Sequence, residues 1–210
     1  MNLFRLDASI FPAASASAEI ADAAEAEWSA VHPGGAVTRR HLATDPLPSD
    51  AWTLAVTAGP TPEADRTPAQ RQALELAAEL AAELRDADAV ILAVPLYNYG
   101  VSQHFKIWLD LVIAAAGPAD PLLKGTPTLL ATALGGGYGP GTPREGWDHS
   151  TPYLRRIIAD NWQADLTLVK RELTLAATNP AMADLRDLAD QQRSHSLAAA
   201  RDAGKALAGN

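Results

Sequence analysis

An aliphatic run at residues 89–94 ends in Pro95, Leu96, Tyr97, Asn98, Tyr99 and Gly100. Two aromatic faces flanking an amide can pack a flat heteroaromatic ring, with the Asn98 amide and nearby backbone N–H groups reaching its heteroatoms. Tyrosines also sit at strand ends simply because they are amphipathic, a reading that accounts less well for Asn98. A second stretch, residues 9–17, carries the hydroxyls of Ser9, Ser15 and Ser17, with Ala16 between the last two. Placed at a helix N-terminus, these hydroxyls and the free N–H groups of the first turn would cradle a phosphate without Lys or Arg. A capped helix after a serine-rich turn uses the same residues. In a third stretch, Ala133 and Leu134 lead into Gly135, Gly136, Gly137 and Tyr138. Adjacent glycines let the backbone approach a ligand and present successive N–H groups to a partly negative edge; a flexible turn is the competing reading.

Each of these stretches follows a short apolar run. Such runs lie at residues 3–8, 37–42, 89–94, 128–133 and 166–169, alternating with segments of helical spacing, which is βαβ order. Five helices are predicted. The first starts near Ser15 and buries Ile20, Ala24 and Trp28; the second opens at Thr67-Pro68, buries Leu76 and Leu80 and stops near Asp86. The third turns Val101, Phe105, Leu109 and Val112 inward, leaving His104 exposed. Thr151-Pro152 and Asn179-Pro180 repeat the cap-plus-proline signal for the fourth and fifth. The run at 89–94 is apolar at every position and belongs at the centre of a parallel sheet. Right-handed crossovers then give a doubly wound α/β sheet of five parallel strands, order 2-1-3-4-5, with helices on both faces and the ligand at the carboxyl ends of the strands. All three stretches reach that edge. A phosphate cradle, a ring-binding turn and an anionic-edge loop together describe flavin mononucleotide (FMN). Residues 43–66 are proline-rich and irregular, and a connection of this length is expected to wall the site.

Length and composition narrow the alternatives. A chain of 210 residues fits one domain, 1–210, without internal repeats or a composition shift. A net charge of −8 with scattered Lys and Arg gives no basic stripe, so neither nucleic acid nor an anionic membrane is an expected partner. No cysteine is present, which excludes disulfides, a thiolate nucleophile and iron–sulfur ligation. No signal peptide or membrane-length apolar run is recognisable, and a cytoplasmic protein is expected. His32, His41, His104, His149 and His195 lack paired metal spacing, so no metal site is assigned. The P-loop pattern, the nicotinamide Rossmann fingerprint and the glycine-flanked serine elbow are all missing. Trp52, Trp147 and His149 fall where they could reach a bound ring or simply pack beneath a long loop.

The sequence resembles the FMN-dependent NADH:quinone oxidoreductases, or azoreductases, a flavodoxin-like family related to the mammalian quinone reductases. Leu96-Tyr97-Asn98-Tyr99 matches the family's Met-Tyr-Asn-Phe segment, and it is the specific match. Ser9 and Ser15 to Ser17 match its phosphate loop, Phe105-Lys106 and Asp110-Leu111-Val112 its next helix, and Gly135-Gly136 its Ser-Arg-Gly-Gly loop. Ala133 and Leu134 depart from that loop's Ser-Arg, and residues 139–150 form a longer insertion than is typical. The resemblance implies non-covalent FMN held by Ser9, Ser15, Ala16, Ser17, Pro95 to Tyr99 and Ala133 to Gly136. It further implies NADH or NADPH as donor, a quinone or azo acceptor reduced by two electrons in ping-pong fashion, and a homodimer whose sites are completed by the partner. Tyr138 is the candidate proton donor or relay. The alternatives are a single-electron flavodoxin carrier without a substrate pocket and a flavin-free relative that only binds; the long segments 43–66 and 138–150 favour the enzyme.

Overall fold

The computed structural model describes residues 1–209. Every side chain of β3 (Ala89–Ala93) is buried, and they alternate between two cores. Val90, Leu92 and the following Val94 enter one; Ala89, Ile91 and Ala93 enter the other. β1 (Asn2–Asp7) and β4 (Pro127–Ala133) flank β3, with β2 (Ala36–His41) outside β1 and β5 (Asp165–Arg171) outside β4. All pairs are parallel, and the observed order β2-β1-β3-β4-β5 is the predicted one. Asp7 lies level with Ala93, so the chains leaving β1 and β3 start at the same height on the carboxyl edge.

Alanines are frequent on one face of the sheet, around Leu3, Ile20, Trp28, Ile91 and Leu129. There α1 (Ala16–Val31) and α6 (Arg186–Ala208) pack so closely that a Cβ on Gly204 would lie 2.2 Å from the Ala24 carbonyl oxygen. Arg5 is buried on this face and holds the carboxylates of Asp7, Asp22 and Glu25 at 2.8, 2.6 and 3.0 Å. Bulky residues build the other face, where Phe105, Trp108 and Trp162 lie beneath α2 (Ala51–Ala58), α3 (Pro68–Arg85), α4 (Gln103–Ala116) and α5 (Ser150–Arg155). Thr67 and Gln70 form a reciprocal capping box at the start of α3, and Ser102 caps α4.

Several expectations are corrected. Six α-helices form among the described residues, because 43–66 contains α2. That helix buries Ala51, Ala55 and Ala58 and turns Trp52 and Val56 outward, the reverse of the usual apolar stripe. It packs on α3 and α4, and no hydrogen bond among the described residues joins 43–66 to the three loops at the carboxyl edge. Leu76 is only half-buried; Ala73, Ala77, Leu80 and Leu84 are the inner face of α3. His104 is half-buried rather than exposed, and Val101 lies just before α4. The fourth helix is capped by Asp148, whose carboxylate accepts from Ser150 N, Thr151 N and the Thr151 hydroxyl. Asn179 caps the 3-10 turn Pro180–Leu185, from which α6 begins at Arg186.

Candidate active site

Three hydrogen bonds pull the three loops together. The Tyr97 hydroxyl accepts from Ile10 N at 3.1 Å and pairs with the Ser9 hydroxyl at 3.1 Å, tying the second loop to the first. Leu96 N donates to the Ala133 carbonyl at 2.9 Å, tying the second to the third. Tyr97 is therefore a strut, and its phenol does not reach freely into the site.

In the first loop the hydroxyls largely satisfy one another and the local backbone. Ser9, 3% exposed, accepts from Phe11 N at 3.1 Å. Ser15 caps α1 by accepting from Ala18 N, and its oxygen lies 3.1 Å from that of the buried Ser17. What the loop still offers is the first turn of α1, where the N–H groups of Ala16 and Ser17 precede any intrahelical acceptor. Arg171 shares a surface hollow with Ser15 and Ala16, but its guanidinium is paired with Glu19 at 2.7 Å. Arg193 and Arg171 together hold the Glu19 carboxyl below its ordinary range despite partial burial. Two guanidinium groups thus share one carboxylate at the edge of the hollow, which Asp22 also lines.

The second loop is a tight hairpin turn. Tyr97 and Gly100 exchange both backbone hydrogen bonds at 2.9 Å, while Asn98 and Tyr99 take φ of 48° and 67°. Successive left-handed residues define a type I′ turn, which explains Asn98 and makes Tyr99 the strained member, at a cost of about 1–3 kcal/mol. The turn directs the N–H groups of Asn98 and Tyr99 outward, and neither has a protein acceptor among the described residues. The Tyr99 ring meets Trp147 edge-on at 5.5 Å and Tyr138 at 6.5 Å. His149 joins by its backbone, donating N–H to the Tyr99 carbonyl at 3.1 Å.

The third loop uses its carbonyls for structure. Those of Leu134, Gly135 and Gly136 accept from the N–H groups of Thr174, Leu175 and Leu173 at 3.1 Å each. The Gly135 and Gly136 N–H groups have no protein acceptor among the described residues. Neither glycine has positive φ; space is what they provide, since a Cβ would meet Leu175 Cδ1 at 2.7 Å or Arg144 Nη1 at 2.6 Å. Leu134 is fully buried, so its side chain belongs to the core. Burial pushes the Tyr138 phenol above its ordinary pKa, with Arg144 pulling the other way, so the phenol keeps its proton at neutral pH.

A flavodoxin-like fold family matches residues 1–161. An FMN-dependent NADH:quinone oxidoreductase of Frankia casuarinae is 38% identical over 205 residues, 95% of this chain and 97% of that protein. One from Streptomyces avermitilis is 39% identical over 208 residues, covering 95% and 94%. The chain belongs to the FMN-dependent NADH:quinone oxidoreductase family. Among solved structures, an FMN-dependent NADH-azoreductase from Bacillus anthracis in complex with FMN superposes with TM-score 0.77 at 16% identity, covering 99% of this chain and 100% of that one. The latter likeness speaks for the fold. Within this oxidoreductase, the structure adds residues that the sequence reading passed over. Glu172 accepts from Tyr138 N at 2.8 Å and Gly139 N at 3.4 Å, fixing the start of the 139–149 insertion. Leu173 and Leu175 back the glycines. The position of these residues just beyond β5, at the same sheet edge, was the available signal.

Proposed function

We propose that the chain binds FMN non-covalently across the three loops and passes two electrons from NADH or NADPH to quinones or azo compounds. One observation carries this reading: three loops tied together at the carboxyl edge each keep backbone N–H groups without a protein acceptor among the described residues. The first turn of α1, with Ser15, Ala16 and Ser17, would hold the terminal phosphate, and Ser9 would shape the loop. Pro95 to Tyr99 would flank the ring, and the Ala133 to Gly136 segment would bring the Gly135 and Gly136 N–H groups to its N1–O2 edge. When bound, FMN supplies hydride acceptance at N5 and its onward transfer. The chain orients both substrates over one ring face, and Tyr138 holds a proton ready for the reduced product.

A homodimer, working in the cytoplasm, completes the proposal. Ile10, Phe11, Tyr99, Trp147 and Leu175 are exposed on the loops of this edge, an apolar rim that a second copy would cover. No helix among the described residues is long and apolar enough to cross a membrane.

The purified protein is expected to be yellow, or to bind FMN in preference to FAD and riboflavin. Anaerobic NADH should bleach it, and parallel double-reciprocal lines should follow from the ping-pong order. Bound FMN that NADH cannot reduce would mark a carrier; no FMN binding at all would mark a flavin-free relative.

A further inference from the structure

The insertion at 139–149 is anchored rather than loose. Glu172 accepts from Tyr138 N, Asp148 caps α5, Gly141 N donates to Glu145 at 2.8 Å, and the Thr142 hydroxyl donates to the Gly139 carbonyl at 2.8 Å. The acidic side chains of this region are thus engaged by N–H groups. Arg144 makes no salt bridge among the described residues, in a chain whose net charge is −8. Its guanidinium carbon lies 6.0 Å from the centre of the Tyr138 ring, and Nη1 lies 2.6 Å from where a Cβ of Gly136 would sit. A planar cation with no carboxylate partner among the described residues therefore stands near the Tyr138 ring, whose neighbour Tyr99 packs on Trp147, and near Gly136, whose N–H has no protein acceptor among those residues.

We propose that Arg144 determines specificity for substrates that are flat and anionic, gripping a sulfonate, carboxylate or phosphate while the aromatic part lies along the Tyr99–Trp147–Tyr138 wall. A guanidinium offers paired donors to such oxygens, and the exposed Tyr99 and Trp147 rings offer a flat apolar face to the aromatic part. The proposal rests on the oxidoreductase reading of the same edge. The acid group belongs either to the acceptor, as an aromatic substituent, or to the nicotinamide nucleotide, as its phosphate.

The FMN-loaded protein and its Arg144→Gln and Arg144→Lys variants distinguish the two sources. In the oxidative half, kcat/KM is compared for a naphthoquinone and its sulfonate; in the reductive half, for NADH and an uncharged N-benzyl dihydronicotinamide. Arg144→Gln should lower the charged-to-neutral ratio about tenfold in one of the halves, with Arg144→Lys recovering part of it. The half affected names the source. Equal changes for charged and neutral compounds in both halves would overturn the proposal. A shift in FMN midpoint potential without charge selectivity would overturn it too, assigning the cation to the flavin. Calorimetric titration with a naphthalene sulfonate needs no turnover and so keeps the failure of Arg144 separate from failure of the oxidoreductase reading. Arg144→Gln should bind it about tenfold more weakly, and unchanged affinity would count against the site.

Discussion

The loops after β1 and β4 reach the same sheet edge with opposite distributions of hydrogen-bonding groups. The first is rich in side-chain hydroxyls, yet Ser9, Ser15 and Ser17 direct theirs to Tyr97, Phe11 N, Ala18 N and each other. The third has almost no polar side chains, and its carbonyls are held by the backbone beyond β5, leaving the Gly135 and Gly136 N–H groups without an acceptor among the described residues. In both, what faces outward is main chain. Side chains in the first loop fix the shape from which backbone donors point; in the third, the missing side chains leave room for them.

The sharpest way to break this comparison is to fill that room. Gly136→Val would place a Cβ 2.6 Å from Arg144 Nη1, the mobile tip of an exposed side chain that can swing aside, and would set two methyl groups beside the Gly136 N–H. FMN affinity should fall by about 100-fold, or roughly 2.7 kcal/mol, the scale of a lost charge-assisted hydrogen bond. Fluorescence titration measures it, with circular dichroism confirming the fold. Affinity like the parent's would show that the third loop does not use its backbone as described.

The first loop should yield a smaller and more selective loss. With Ser15 and Ser17 both changed to Ala, FMN should weaken about tenfold while riboflavin, lacking the phosphate, weakens less; loss of the α1 cap costs about 1 kcal/mol of stability besides. Equal losses for the two ligands would remove the phosphate from this loop.

Strand order was legible because β3 is apolar at every position and only a central parallel strand has that pattern. The helix caps at Ser15 and Thr67 were legible for a similarly local reason, a side chain bonding its own first turn. Where tertiary packing chose otherwise, the signal failed. Helix α2 escaped notice because alanines face inward and Trp52 and Val56 face out, while Thr151 lost the capping position to Asp148 three residues earlier. Of the site, the loops could be identified but not the partners of their hydroxyls. Tyr97 and Ser9 are 88 positions apart, and only folding shows that they bond. Arg144 and Glu172 carried no motif; their importance lies in where the insertion and β5 end.

Tyr138 extends the comparison to the third loop's one polar side chain. Its phenol is held above the ordinary value of 10.0 by burial, against the pull of Arg144. A rate that uses its proton should stay level through neutral pH and fall only above about pH 10. Tyr138→Phe should lower turnover several-fold and remove that alkaline fall; Arg144→Gln, which relieves a lowering influence, should move it to higher pH. An unchanged pH profile in Tyr138→Phe would take the proton role away.

Leu134 should give the smallest effect, and it tests the comparison from the other side. It stands where the family pattern has Arg, yet it is fully buried, and its N–H and carbonyl are bonded to Arg171 and Thr174. Its side chain has no donor to offer and can only fill space. Methionine occupies nearly the same volume, so Leu134→Met should cost under about 1.5 kcal/mol in stability and leave FMN affinity within about twofold. The outcome matters most when paired with Gly136→Val. If Leu134→Met lost FMN while Gly136→Val kept it, packing behind the loop rather than donors at its surface would govern binding, and the division of labour between the two loops would have to be reversed.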